Sequence, residues 1–399
     1  MIRTAPVTAL LALTIVSGFA CTKKSDQAAA PATGGTEQQA TQTAAPAGDV
    51  IRWGEVGSMT GSEATFGHST HNGILLALKQ INDAGGVKGK KVEVVNLDDQ
   101  GKPEEAATAV TRLITQNGVQ AILGEVASSR SIAMAPIAQK YKIPMVTPSS
   151  TNPKVTELGD YIFRVCFIDP FQGSVMAKFA AENLKIKKVA ILRDVKSDYS
   201  VGLANFFTET FKKSGGQIIV DTSYSGGDMD FKSQLTSIKA KNPEAIYVPG
   251  YYTEVGLIGR QARELGIKVP LMGGDGWDSS KLTEIGGTSL DGSFFSNHYS
   301  DENQAPEVQE FIKNYKAAYG ETPDALAAMG YDAARVLASA MNKAASLAPV
   351  DVRKELAQTK EFPGVTGKIT INDQRNAVKP AVVLKVEGGK FKYQTTVNP

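Results

Sequence analysis

The hydrophobic positions of this 399-residue chain fall into three regimes. Residues 5–20 carry no charge, follow a single basic residue, Arg3, and stop at Cys21. Residues 22–48 are dominated by Ala, Pro, Thr, Gln and Gly, with almost no large apolar side chain. From residue 50 onward, short apolar runs alternate with helical periodicities. Strand-like runs at 51–56, 92–97, 120–123 and 145–147 are separated by segments whose apolar residues recur three and four positions apart, as at Ile74, Leu75, Leu78 and Ile81. That spacing predicts helices over 72–84, 104–116 and 131–141, the first closed by a glycine stop at Asp83-Ala84-Gly85-Gly86. A second series has strands at 189–192, 217–224, 245–248 and 271–273 and helices at 200–213, 231–241 and 254–265. The tail changes character, with helices at 306–319 and 324–345 followed by strand-like pieces at 366–371 and 382–386. Strands that alternate with helices imply parallel sheets covered by helices, and two such series in tandem imply an α/β chain of two doubly wound parallel-sheet lobes.

The leading run is shorter than the ~20 apolar residues that a membrane span needs, and small Ala20 precedes Cys21. It reads as an export signal, residues 1–20, to be removed on export. Residues 21–49 then form a linker too poor in apolar side chains to offset its ordering entropy. Cys166 is the only other cysteine, so acylation of Cys21 would exclude an intramolecular disulfide. The remaining ~350 residues are enough for two lobes of ordinary domain size.

Charge and motifs exclude more than they assign. The 43 basic and 41 acidic side chains nearly balance, which gives no case for a nucleic-acid or polybasic membrane surface. His68 and His71 lack a third ligand of convincing spacing and read as solvated or cleft-edge residues rather than metal ligands. No G-x-S-x-G elbow, phosphate loop or dinucleotide turn is present, so neither cofactor nor catalytic group is expected.

Polar clusters at predicted strand ends suggest a task instead. Ala127-Ser128-Ser129-Arg130-Ser131 opens a helix after the 120–123 strand, placing hydroxyls and free N–H groups where an anion is favoured. Pro148-Ser149-Ser150-Thr151 follows the next strand, and Asp275, Tyr199, Tyr251 and Trp277 lie past strand ends in the second series. Each cluster alone could be an N-cap or a turn. Together they offer a carboxylate opposite hydroxyls and N–H groups, as a zwitterion requires, with aromatic faces to cover an apolar portion.

Specific stretches sharpen this reading. Ser58-Met59-Thr60-Gly61, Phe66-Gly67, the run from Ile81 through Asn82-Asp83-Ala84-Gly85-Gly86 to Val87, Asp98-Asp99 and Thr147-Pro148-Ser149-Ser150-Thr151 resemble the branched-chain amino-acid-binding (Leu/Ile/Val-binding) family of type I periplasmic receptors of ABC transporters. Phe163-Arg164, Asp198-Tyr199, Gly250-Tyr251 and Met272-Gly273-Gly274-Asp275-Gly276 extend the likeness over about residues 50 to 390. The resemblance implies two lobes, residues 50–169 plus 299–378 and residues 170–298 plus 379–399, joined by three crossings near Asp169, His298 and Lys379. It implies that Ser128 and Thr151 hold an α-carboxylate, and that the Ser149 carbonyl, the Thr151 hydroxyl and Asp275 hold an α-ammonium. Tyr199 and Tyr251 would close from the second lobe. Phe66 matches a family Tyr, while Val126, Ala127 and Leu326 fall on side-chain-pocket positions. The family's first-lobe disulfide is absent, its two positions being Gly101 and Ala127 here. Trp277 would narrow the pocket or stack on a ring, and Arg130 could pair with an acidic side chain of the ligand.

Gly18-Phe19-Ala20-Cys21 resembles the lipobox of bacterial lipoproteins, with Gly18 where Leu is usual. The chain is thus expected to be a monomeric, lipid-anchored receptor at the periplasm or cell surface, clamping an aliphatic amino acid and passing it to an ABC permease without chemistry. Two other readings stay open: a receptor or sensor for another small amide or carboxylate, and an α/β enzyme, for which no His is evident beside a nucleophile.

Overall fold

A computed structural model describes residues 50–399; the signal, Cys21 and the linker lie outside the described residues. Five strands, β1 (Val50–Gly57), β2 (Lys91–Asp98), β3 (Ala121–Leu123), β4 (Met145–Thr147) and β5 (Ile162–Arg164), form a parallel sheet in the order β2-β1-β3-β4-β5. Successive side chains of a strand point to opposite faces. Ala121, Leu123, Val146 and Phe163 accordingly join one core, with helices Ala64–Asp83 and Ala325–Lys343. Ile122, Met145 and Ile162 join the other, under helices Pro103–Thr115 and Ser128–Tyr141. Burial on both faces explains why these strands read as near-continuous apolar runs.

The second sheet contains β6 (Lys188–Asp194), β7 (Gln217–Tyr224), β8 (Ala245–Tyr247), β9 (Leu271–Gly273) and β10 (Phe294–Asn297), all parallel. After a small three-stranded sheet of β11 (Phe362–Gly364), β12 (Gly367–Ile371) and β13 (Ala377–Val378), the chain returns as β14 (Ala381–Glu387) and β15 (Lys390–Val397). These two lie antiparallel beyond β10, giving the order β15-β14-β10-β9-β8-β6-β7. The ribbon is the antiparallel part of an otherwise parallel sheet. Its cause is local: Gly388 and Gly389, both at positive φ, make the two-residue turn that folds β15 back on β14.

The helix expected over 72–84 begins earlier, at Ala64. Residues 64–71 carry Phe66 but little other apolar side chain, so their periodicity is silent, and the extra turns are held by packing. Gly67 makes this possible, because a Cβ there would come within 2.1 Å of the Ser58 carbonyl oxygen. The added turns carry Phe66 toward the mouth of the cleft between the sheets.

The chain passes between the sheets after β5, after β10 and between β13 and β14. Direct hydrogen bonds also join the lobes across their facing edges. Asp198 N–H donates to Ser129 Oγ (2.9 Å), Asn152 Nδ2 to the Asp198 carbonyl (2.8 Å), Thr253 Oγ1 to the Ser62 carbonyl (2.7 Å) and Ala325 N–H to Asp278 Oδ2 (2.7 Å). The two lobes are therefore closed on each other.

Candidate functional site

The carboxyl ends of both sheets face one cavity. It is lined by Phe66, Val126, Ser128, Ser149, Thr151 and Leu326 from the first lobe and Tyr199, Tyr251, Asp275 and Gly276 from the second. Ligands bind at carboxyl ends of strands in wound sheets because loops and helix N-termini converge there. Ser128 is the first residue of helix Ser128–Tyr141, so the positive end of that helix points at the cavity. Ser128 Oγ accepts the Asn152 N–H (3.1 Å), leaving its own proton free to donate, and Ser149 Oγ donates to the Val126 carbonyl (3.3 Å). The Thr151 hydroxyl, beside Asp169, makes no well-formed hydrogen bond among the described residues.

Across the cavity, Asp275 is 8% exposed. Tyr199 Oη donates to Asp275 Oδ1 (2.9 Å) and accepts the Gly276 N–H (3.2 Å), while His298 Nε2 lies 3.0 Å from Asp275 Oδ2. Burial, then the nearby Asp275 charge, holds the Tyr199 hydroxyl well above its ordinary pKa, so it is a dependable neutral donor. Tyr199 stacks on Tyr251 (ring centroids 5.4 Å apart, planes at 6°), and Phe66 meets Tyr251 edge-on from the first lobe at 5.7 Å. Phe66, Val126 and Leu326 supply an apolar wall. One side of the site thus offers donors and a positive helix end, the other a carboxylate, with aliphatic and aromatic surface between.

Three expected roles are relocated. Trp277 does not line the cavity: its indole is fully buried in the second-lobe core, 5.9 Å from Phe295, and Nε1 donates to the Val248 carbonyl (3.0 Å). A short 3-10 helix, Asp275–Trp277, turns the Trp inward as it turns Asp275 outward, which position in sequence does not reveal. Ala127, expected in the side-chain pocket, is buried beside it, and its N–H donates to Glu125 Oε2 (2.5 Å). Arg130 is spent inside the protein. It donates to Glu125 Oε2 (2.9 Å), Glu63 Oε2 (2.5 Å) and the Gly101 carbonyl (3.2 Å), with Asp99 at 3.8 Å. Glu125 and Arg130 therefore tie together Ala127 and Gly101, the two positions that a disulfide would have joined. Burial pushes Glu125 up to about 8, against the attraction of Arg130.

His71 is likewise occupied, its Nδ1 lying 2.7 Å from Glu55 Oε2, and His68 is exposed. Among the described residues no group of three His, Cys, Asp or Glu side chains is placed to hold a metal ion, and no helix is long and apolar enough to cross a membrane. Cys166 is buried, and its thiol is pushed up to about 12 by desolvation, which leaves it unreactive.

Beneath the site lies a group that strand-end reasoning placed only at a crossing. Asp169 is fully buried, and desolvation, assisted by the charge of Asp275, pushes it up to about 8. Burial thus favours its uncharged form. A carboxyl whose folded pKa exceeds its unfolded value stabilises fully below the unfolded pKa, and that stability is lost as pH rises through the folded one. Between about pH 5 and about pH 8 the wild-type melting temperature should therefore fall more steeply than that of Asp169→Asn. Equal slopes in thermal denaturation of the two proteins would remove Asp169 as the source.

A family model described as periplasmic binding protein matches residues 50–390. The Leu/Ile/Val-binding protein homolog 3 of Brucella melitensis is 31% identical over 344 residues, which is 86% of this chain and 92% of the relative. Among solved structures, a leucine-binding protein of Thermotoga maritima superposes with a TM-score of 0.84 at 43% identity, over 88% of this chain and 99% of that one. The branched-chain amino-acid transporter substrate-binding protein of Streptococcus pneumoniae, solved with isoleucine, gives 0.83 at 35% identity, over 88% and 100%.

Proposed function

The chain belongs to the periplasmic binding protein family, and on that footing we propose that its cleft holds one aliphatic α-amino acid, leucine, isoleucine or valine, and delivers it to an ABC permease. As a member of this family it binds and releases; it is not an enzyme. The observation that carries the ligand assignment is the polarity of the cavity. Ser128, Thr151 and a helix N-terminus face Asp275 across a cleft walled by Phe66, Val126 and Leu326. An α-carboxylate at Ser128 and Thr151 and an α-ammonium between Asp275, the Ser149 carbonyl and the Thr151 hydroxyl satisfy both ends. The side chain is left against apolar surface, with Tyr199 and Tyr251 as the closing face. The names of the relatives, Leu/Ile/Val-binding and leucine-binding, agree with this reading.

The lobes work as residues 50–169 plus 299–378 and residues 170–298 plus 379–399, the crossings near Asp169, His298 and Lys379 serving as the hinge. The protein acts as a monomer outside the cytoplasm, anchored through acylated Cys21. A processed lipoprotein carries more than one acyl chain, and stable anchoring takes more than one. Cys21→Ser should therefore move the protein from the detergent phase to the aqueous phase in a partition assay, and unchanged partitioning would contradict the anchor.

The ligand assignment is tested by calorimetry with the twenty amino acids. Leucine, isoleucine or valine should bind most tightly. Asp275→Ala should weaken that binding by about 2–5 kcal/mol, because removing one partner strands a buried ammonium, while the melting temperature without ligand stays near wild type. Preference for a charged side chain, or Asp275→Ala binding as tightly as wild type, would contradict the assignment.

A further inference from the structure

His298 follows β10 directly, where the chain leaves the second sheet for the first. Its side chain is buried, its ring stacks on Phe167 from another crossing (centroids 3.6 Å apart, planes at 23°), and Nε2 lies 3.0 Å from Asp275 Oδ2. A carboxylate oxygen can only accept, so Nε2 carries the proton; Nδ1, which has no partner among the described residues, is then the bare nitrogen. Desolvation pushes the imidazole down to about 4 against the pull of Asp275, and the nearby Lys379 acts in the same direction as burial. The ring is thus neutral at pH 7.

Other groups complete the setting. Asp275 N–H donates to Gln172 Oε1 (2.9 Å), which also accepts from Ser296 Oγ (2.8 Å), and Tyr199 holds the second carboxylate oxygen. Every polar contact that Asp275 makes here is with an uncharged group. A lysine or arginine in place of His298 would hold the carboxylate too, but its charge would compete with an incoming cation.

We propose that His298 is a positioning residue for the ammonium site: through its neutral Nε2–H it fixes the Asp275 carboxylate to receive the α-ammonium of the bound amino acid. The proposal rests on Asp275 being the partner of that ammonium. The Phe167 stack locks the ring between two crossings, so the carboxylate is oriented by the hinge and not only by its own loop.

Three substitutions of His298 in the full chain, titrated with L-leucine by calorimetry and melted without ligand, separate this role from plain packing. Gln carries an N–H at about the reach of Nε2 but cannot reproduce the stacked ring. His298→Gln should keep leucine affinity within about threefold while its melting temperature falls. His298→Leu should lose about tenfold to a hundredfold in affinity, the range for one hydrogen bond to a charged group. If His298→Leu does not fold, His298→Asn, whose amide is too short to reach Asp275, takes its place with the same expected loss. Equal affinity losses in Gln and in Leu or Asn would overturn the proposal, as would full affinity without the donor. Wild-type protein that binds no leucine would instead overturn the amino-acid reading beneath it, a failure visible before any variant is compared.

Discussion

Asp275 is withdrawn from water with uncharged donors, Tyr199 and His298, on its two oxygens, so its carboxylate is oriented and partly compensated without being neutralised by an ion pair. Burying a carboxylate in this way is costly unless a cation completes the arrangement, and that cost is what a bound ammonium would relieve. The surroundings are consistent with this constraint. Asp169, fully buried below, is pushed toward its uncharged form by burial, and the positive end of helix Ser128–Tyr141 lies on the opposite side of the cavity from Asp275. Arg130, the strong cation nearby in sequence to Ser128, is enclosed by Glu125, Glu63 and Asp99 and does not line the cavity. The cleft is left with one negative end, one donor-rich end and an apolar wall.

Closure follows from where these groups sit. Ser128 and Thr151 are on one lobe and Tyr199, Tyr251 and Asp275 on the other, so no open arrangement can engage both ends of a ligand. The direct bonds across the facing edges, such as Asp198 to Ser129 and Thr253 to Ser62, are exposed or partly buried single hydrogen bonds. Each contributes roughly 0.5–1.5 kcal/mol net, a scale at which a ligand that contacts both lobes can decide between open and closed forms. The ring contact between Phe66 and Tyr251 adds an apolar seam that also exists only when the lobes meet.

Much of this was legible in the sequence because wound α/β folds write themselves locally. Doubly buried strands such as β3 and β4 appear as apolar runs, helices appear as periodicities, and the loops that follow strand ends converge by topology. That is why Ser128, Ser149, Thr151, Tyr199, Tyr251 and Asp275, far apart in the chain, come to line one cavity. What depended on tertiary contact was not legible. The early start of helix Ala64–Asp83 rests on Gly67 against the Ser58 carbonyl, and the inward turn of Trp277 on a three-residue 3-10 helix. Arg130 looked available to a ligand because its three carboxylate partners come from separate loops. His298 was visible in the sequence only as a crossing position; its partner stands 23 positions earlier and meets it only through the pairing of β9 with β10.

The most direct test is a crystal structure of the protein grown with L-leucine. The α-ammonium should lie within hydrogen-bond distance of the Asp275 carboxylate and the α-carboxylate against Ser128 and Thr151, with the isobutyl group on Phe66, Val126 and Leu326. Leucine bound the other way round, or elsewhere than between the lobes, would contradict the account.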